Sequence, residues 1–349
     1  MADHKAGEGA SANLDFLRSV AVLSVLVVHT CTQFNVERKF GLNNLALFGV
    51  LVFFVHTSLV LMYSLQRSAG SGIALFRSFY IRRFFRLYPL SILIVLAALA
   101  LHLHAVDRGL ALAPRPRPLE IVSNLLLVQN LTGSDSIVGP MWTLPIEVQM
   151  YVLLPLLFVW RRRSLWTLLV LWGVTAVLGH FPQAAPIPGW LKLLLFSPNF
   201  LPGMIAFTLP KRPVLPAYLW PPFVLGLFLF YSQYASWRTG AELCLLLGIT
   251  IPLFKELTFR PLTFISNRIA TYSYGIYLAQ SFCIWFGFKH HHSWMIFVPT
   301  MVMVPIVLYH ALEHPAIKLG RRLARDSQPQ PAPIPEEAPA GNIARAAHT

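Results

Sequence analysis

The chain has 349 residues, 56% of them hydrophobic and 12% charged, with a mean hydropathy of +0.59. Soluble domains carry about 25% charged residues, so the composition excludes that class and describes a polytopic membrane protein. The net charge of +14 does not mark a nucleic-acid binder, because its Lys and Arg residues fall in short loops between apolar runs, and three isolated cysteines exclude a disulfide framework or a zinc site.

Residues 1–13 mix Asp3, Lys5 and Glu8 and read as a cytoplasmic N-terminal segment. No small-residue cleavage site follows the first apolar run, so that span is expected to be retained. Ten spans follow in order: 14–33, 42–65, 87–104, 137–160, 164–181, 190–209, 214–233, 240–254, 269–288 and 294–314. With the N-terminus inside, 20 of the 28 Lys and Arg residues lie on the cytoplasmic side. The predicted fold is therefore an all-α integral-membrane bundle of about ten transmembrane helices with both termini cytoplasmic. The apolar segment 120–131 falls short of the ~20 residues a crossing helix needs and reads as an external or re-entrant helix. PRPRP, residues 114–118, ahead of it reads as a stiff external loop. Residues 14–325 form one transmembrane domain; 326–349, rich in Pro and Ala, reads as a disordered cytoplasmic tail.

Several spans carry groups that are costly in a bilayer, and such groups mark a task or a partner. LDFLRSVAVLSVLVVHT, residues 14–30, holds Asp15 and Arg18 at one end and His29 inside. His29 lies roughly 16 Å along the axis from Arg18, about halfway through a ~30 Å hydrocarbon core. It reads either as a general base or as a polar residue satisfied by a neighbouring helix. In FYIRRFFRLYPL, residues 79–90, Arg82, Arg83 and Arg86 sit within about one turn, ahead of a Pro89 expected to kink or restart the helix. Their guanidiniums suit bidentate phosphate binding, or act as a topology signal on anionic membrane lipids.

GPMWTLPIEVQMYVLLPLL, residues 139–157, places Glu147 inside a span, with Tyr151 at i+4 on its face and Trp142 as an interfacial anchor. Glu147 could orient a histidine, take a proton, bind a sugar hydroxyl, or pair with an arginine. Tyr274, Tyr277 and Gln280 line one face of the ninth span, a polar stripe or simple packing. Glu313, before His314 and Pro315, is expected to bridge to an inner-surface arginine. His56, His102, His104, His180 and His290–His292 read mostly as interfacial or solvated, with no metal site among them.

The order of these motifs resembles the membrane acyltransferase-3 family, the integral-membrane O-acyltransferases of bacteria. The resemblance spans about residues 13–325 and rests on LD-x-LR with His29, GVLVFFVHTSLV, FYIRRFFRLYP, WTLPIEVQMYVLLP, FLPGMIA, YSYGIYL and EHP. It implies that His29 is the essential histidine, with Asp15 and Arg18 its first-span companions and Arg82, Arg83 and Arg86 the arginine motif. Trp142, Thr143, Leu144 and Glu147 fall on Trp-Ser-Leu-x-x-Glu; Tyr274, Tyr277, Leu278 and Gln280 fall on Tyr-x-x-Tyr-Leu-x-His. Thr143, Leu51, the His56-Thr57-Ser58 run and Gln280 depart from the pattern, and Gln280 cannot carry a proton. The family's frequent SGNH hydrolase-like domain is absent, which implies the stand-alone form.

The resemblance implies an enzyme of a bacterial inner (cytoplasmic) membrane with no bound cofactor. It would move an acyl group, with acetyl the first expectation, from acyl-CoA (acetyl-CoA) to a hydroxyl of a carbohydrate, such as a surface polysaccharide, or of a small-molecule acceptor. Donor phosphates would meet Arg82, Arg83 and Arg86; His29 would act as base or brief acyl carrier, with Glu147 orienting it or the acceptor. The alternatives are a polytopic transporter, which should show related halves with interrupted helices, and a non-catalytic partner in polysaccharide assembly. Reporter fusions are expected to place 66–82, 161–163 and 210–213 in the cytoplasm and 105–119 and 289–292 outside. An outside reading at 161–163 means that 120–131 crosses and the span count is wrong.

Overall fold

The computed structural model describes residues 11–36, 42–68, 72–106, 109–160, 165–179 and 189–326. Most of the expected N-terminal segment, the Arg161–Arg163 loop and the Pro/Ala-rich tail from 327 lie outside the described residues. The described residues are 83% helical. Helices α1 (Ala12–Thr32), α2 (Leu45–Gln66) and α3 (Gly72–Ala100) come first, then a hairpin of β1 (Leu103–Val106) and β2 (Gly109–Leu112). Two short helices, α4 (Pro118–Leu125) and α5 (Gln129–Thr132), precede a 3-10 turn (Gly139–Thr143) that opens into α6 (Leu144–Trp160). Helices α7 (Leu165–Leu178), α8 (Gly189–Thr208), α9 (Trp220–Tyr234), α10 (Trp237–Thr250) and α11 (Arg260–Ile284) follow. After π turns at Trp285–His290 and Tyr309–Glu313 come α12 (Trp294–Leu308) and α13 (His314–Asp326), respectively.

Among the described residues, five helical segments are long and apolar enough to cross a membrane: Ala12–Thr32, Leu45–Gln66, Gly72–Ala100, Gly139–Trp160 and Trp294–Arg325. The other expected spans coincide with α7 to α11, which are shorter or more polar. Helix α7 has 14 residues and spans only ~21 Å. The segment 120–131 divides between α4 and α5, neither long enough to cross. Asn124 stitches that loop together: its Nδ2 donates to Glu120 O at 2.9 Å and Asp135 O at 2.8 Å, and its Oδ1 accepts from Ile137 N at 3.0 Å.

Two local expectations change. Pro89 neither restarts nor ends α3, which runs through it. A proline in a helix interior forfeits one backbone bond, a loss that surrounding helices make tolerable at membrane depth. The outer connection after α3 is also more ordered than a plain loop, because His104 pairs with Ala111 across the antiparallel hairpin.

The bundle is assembled around α1 and α2. Helix α1 packs on α2 and α11, α2 on α8, α8 on α7 and α10, α11 on α12, and α3 on α13. Between membrane helices, small residues allow close backbone approach. At Gly203 on α8, an added Cβ would lie 2.0 Å from Ser58 Oγ, 2.3 Å from Val55 O and 2.8 Å from Leu59 N. Ser58 Oγ donates across the same crossing to Phe200 O at 2.6 Å. At Gly49 on α2, a Cβ would lie 2.5 Å from Ala21 O.

The Gly203 crossing tolerates no extra methyl without moving two backbones. Gly203→Ala is expected to cost about 1–3 kcal/mol as overpacking, read as a lower unfolding temperature in detergent. Gly173→Ala, where a Cβ meets open space, is expected to be neutral or slightly stabilising, since Ala is the better helix former.

Candidate functional site

The helices converge on one chamber of about 70 Å³, room for only a few waters. Its wall takes Arg18 from α1, His56 from α2, Arg83 and Arg86 from α3, Glu147 and Tyr151 from α6, and Tyr274 and Tyr277 from α11. Residues more than a hundred positions apart meet because α11 packs on α1 and α3, and α6 on α2 and α3.

The charged groups are partnered one by one. Arg18 Nε donates to Ser273 Oγ at 2.6 Å, and its guanidinium lies 5.6 Å from the Phe53 ring centre. Arg86 Nη1 is 2.7 Å from Glu313 Oε1, so Glu313 makes the arginine bridge the sequence predicts. Glu313 is 1% exposed; the π turn Tyr309–Glu313 delivers it to the bundle interior. Tyr151 Oη donates to Glu147, and Arg83 lies over the rings of Phe79 and Tyr151 at 5.9 and 6.0 Å. Three guanidiniums thus share the interior with two carboxylates, an excess of at least one positive charge. Such an excess, held away from water, is a preorganised place for negative charge to bind or develop.

The tyrosines fix the far end. Tyr274 Oη donates to Leu87 O at 2.8 Å, tying α11 to α3. Tyr277 Oη donates to Pro140 O at 2.7 Å and lies 2.9 Å from Thr143 Oγ1. Thr143 therefore occupies its motif position with its hydroxyl in use.

Four predicted residues do not line the chamber. Asp15 accepts from Asn267 Nδ2 at 2.9 Å near the end of α1. Trp142 is 40% exposed and packs on Phe196. Arg82 turns away from the chamber and donates to Ser68 Oγ. His29, half-buried, sits one turn, about 6 Å, beyond Val25, the last α1 residue in the chamber wall. Arg18, Val22, Val25 and His29 nevertheless share one face, at i, i+4, i+7 and i+11.

Glu147 takes its i+4 neighbour Tyr151 as a hydrogen-bond partner. The side chain beside His29 is Gln280. Gln280 is fully buried and its Nε2 donates to Tyr277 O at 2.9 Å. Gln280 Oε1 is buried without a hydrogen-bond partner.

His56 is the residue that sequence reasoning undervalues. It is 4% exposed, lines the chamber and leaves Nδ1 buried without a partner. Its signal is position: antiparallel packing with Gly49 against Ala21 carries residue 56, seven further along α2, past the level of Arg18 and into the wall of the same chamber.

A family model described as an acyltransferase domain, of the acyltransferase-3 type, matches residues 11–310. A Bacillus subtilis (strain 168) protein named as a candidate peptidoglycan O-acetyltransferase, YrhL, is 31% identical over 159 residues, which cover 42% of this chain and 23% of that protein. The chain thus spans under a quarter of that relative's length. No solved structure matches the chain.

The Arg86–Glu313 pair makes a test of its own. Removing one partner of a buried pair strands the other charge and costs about 3–5 kcal/mol, whereas removing both is far milder. Arg86→Ala is expected to lower the unfolding temperature sharply, and Arg86→Ala with Glu313→Leu to recover most of the loss. Equal destabilisation by the single and double variants would show that the pair is not coupled.

Proposed function

The chain belongs to the acyltransferase-3 family, a multi-pass membrane acyltransferase of the class that moves groups other than amino-acyl groups, and from that premise we propose that it takes an acetyl group from acetyl-CoA and delivers it to a hydroxyl of a carbohydrate or other small acceptor. The observation that carries this reading is the chamber with its excess positive charge, lined by Arg83 and Arg86 of the arginine motif, with His29 one turn beyond its wall on the same face of α1. Acyl-CoA is a polyanion joined to a thioester by a long, thin arm. Guanidiniums at the mouth suit its phosphates, and a narrow, desolvated passage suits the arm.

In this reading Arg82 holds donor phosphate at the cytoplasmic face of a bacterial inner membrane, while Arg83 and Arg86 set the potential of the passage. The arm runs past Glu147 and Tyr151 toward the Thr143–Tyr277 hydroxyls. His29 takes the proton from the acceptor hydroxyl, whose oxygen attacks the thioester carbonyl. The carbon–sulfur bond breaks, CoA leaves as the thiolate and is protonated, and His29 returns its proton to solvent. Glu147, held by Tyr151, acts on the donor side and not through His29. The acceptor is a glycan hydroxyl, the chemistry named for the Bacillus relative. Asp15 and Trp142, outside the chamber, serve placement of α1 and α6.

The test is His29→Gln, which keeps hydrogen bonding but removes the titratable nitrogen. Acetyl transfer from acetyl-CoA in membranes, at matched protein levels, is expected to fall 10²- to 10⁴-fold, the usual worth of a general base. Near-normal turnover would remove His29 from the chemistry. Glu147→Gln is expected to lower transfer less.

A further inference from the structure

The arginine motif divides between two destinations. Arg83 and Arg86 face the chamber, and Arg86 is consumed by Glu313. Arg82 faces the other way, with its Nε buried and unbonded. What it faces is α13. At Gly320 an added Cβ would lie 2.6 Å from Phe85 Cβ, so α13 is seated directly on the stretch of α3 that carries Arg82 and Arg86.

Helical geometry then sorts the four basic residues of α13. Gly320 and Ala324, both buried, mark the docked face. At 100° per residue, Arg321 lies about 80° from the centre of that face, at its edge, with Arg325 one turn further along the same side at about 120°; Lys318 and Arg322 lie about 140° and 180° away. Arg321 and Arg82 are close enough to repel each other. The ion pairs among the described residues join Arg86 to Glu313, His104 to Glu120 and Arg238 to Glu242, and none reaches Arg82, Arg321 or Arg325. Like charges held side by side by a tight helix contact, with no ion-pair partner among the described residues, are an arrangement completed by an anion.

We propose that Arg321 and Arg325 of α13, together with Arg82 of α3, form a phosphomonoester site at the mouth of the chamber, and that it takes the 3′-phosphate of acyl-CoA. This rests on acyl-CoA being the donor. The site explains why the arginine motif holds one residue out of the chamber: Arg82 reads the nucleotide end of the donor while its neighbours face the thioester arm. An anionic lipid headgroup offers the same phosphate chemistry, so the test separates the two.

The full chain, in nanodiscs of phosphatidylcholine, is titrated with CoA and with 3′-dephospho-CoA. The unaltered protein is expected to bind CoA at least about 10-fold more tightly, the scale of one charge-assisted hydrogen bond. Arg321→Gln with Arg325→Gln should weaken CoA binding to the 3′-dephospho-CoA level and leave the latter unchanged. Lys318→Gln with Arg322→Gln, on the opposite face, should keep the preference. An unaltered protein that binds both ligands equally, or a first double variant that keeps the preference, overturns the site. A first double variant that changes only the response to added phosphatidylglycerol assigns the arginines to lipid and overturns it too. No binding of either ligand by the unaltered protein would instead fail the acyl-CoA reading itself.

Discussion

Everything in this bundle is arranged around ions taken out of water. Moving a guanidinium or carboxylate into a low-dielectric interior costs several kcal/mol even after relaxation, and here Arg18, Arg83, Arg86, Glu147 and Glu313 all make that move. Each is held by a group from another segment or another turn: Ser273 for Arg18, Glu313 for Arg86, Tyr151 for Glu147, aromatic faces for Arg83. The Arg18–Ser273 and Arg86–Glu313 contacts cannot form within one isolated span, so the polar column is complete only once α1, α3, α11 and the Tyr309–Glu313 turn have met. The apolar packing positions the helices, and the polar pairs fix their register along the axis.

The register depends on close approach as much as on charge. Gly49 lets α2 ride on the α1 backbone at Ala21, and Gly203 lets α8 ride on α2 beside Ser58. Without these crossings His56 would not reach the chamber wall it shares with Arg18, nor would Phe54 stack on Phe200 at 4.2 Å. The small residues look featureless in a hydropathy profile. In a membrane, where lipid is as apolar as leucine, they determine which faces meet.

This explains what could be read from the chain and what could not. The helical class, the membrane setting and the arginine, Glu147 and Tyr274–Tyr277 motifs were legible, because hydropathy and an isolated charge in an apolar run are local signals. The Glu313 bridge was legible for the same reason. Tyr151 at i+4 was visible on the face of Glu147, and it is a partner that Glu147 takes. The hairpin at 103–112 was missed beneath the turn-rich composition around it. The π turns, which shift Glu313 inward, leave no mark in residue type. His56 was undervalued because its role depends on a helix crossing, not on its neighbours in sequence.

The departures from the family pattern fall into two physical groups. Leu51, where the family often has Asp, is 2% exposed, sits among the buried apolar residues of α2, α9 and α10, and lies 2.9 Å from a Cβ built at Gly240. A carboxylate there would have no partner, so the change to Leu goes with an apolar surrounding and leaves the polar column untouched. His56 and Gln280 lie on the column itself, one in the chamber wall it shares with Arg18 and one beside His29. Gln280 replaces a group that can carry a proton with one that cannot, at the end where His29 stands. His56 adds an imidazole where the family commonly has Leu, at the end where the arginines stand. The column therefore keeps two imidazoles in different settings, one in the chamber wall and one a turn beyond the last α1 residue of that wall, because the faces of α1 and α2 that meet decide which ring the chamber receives.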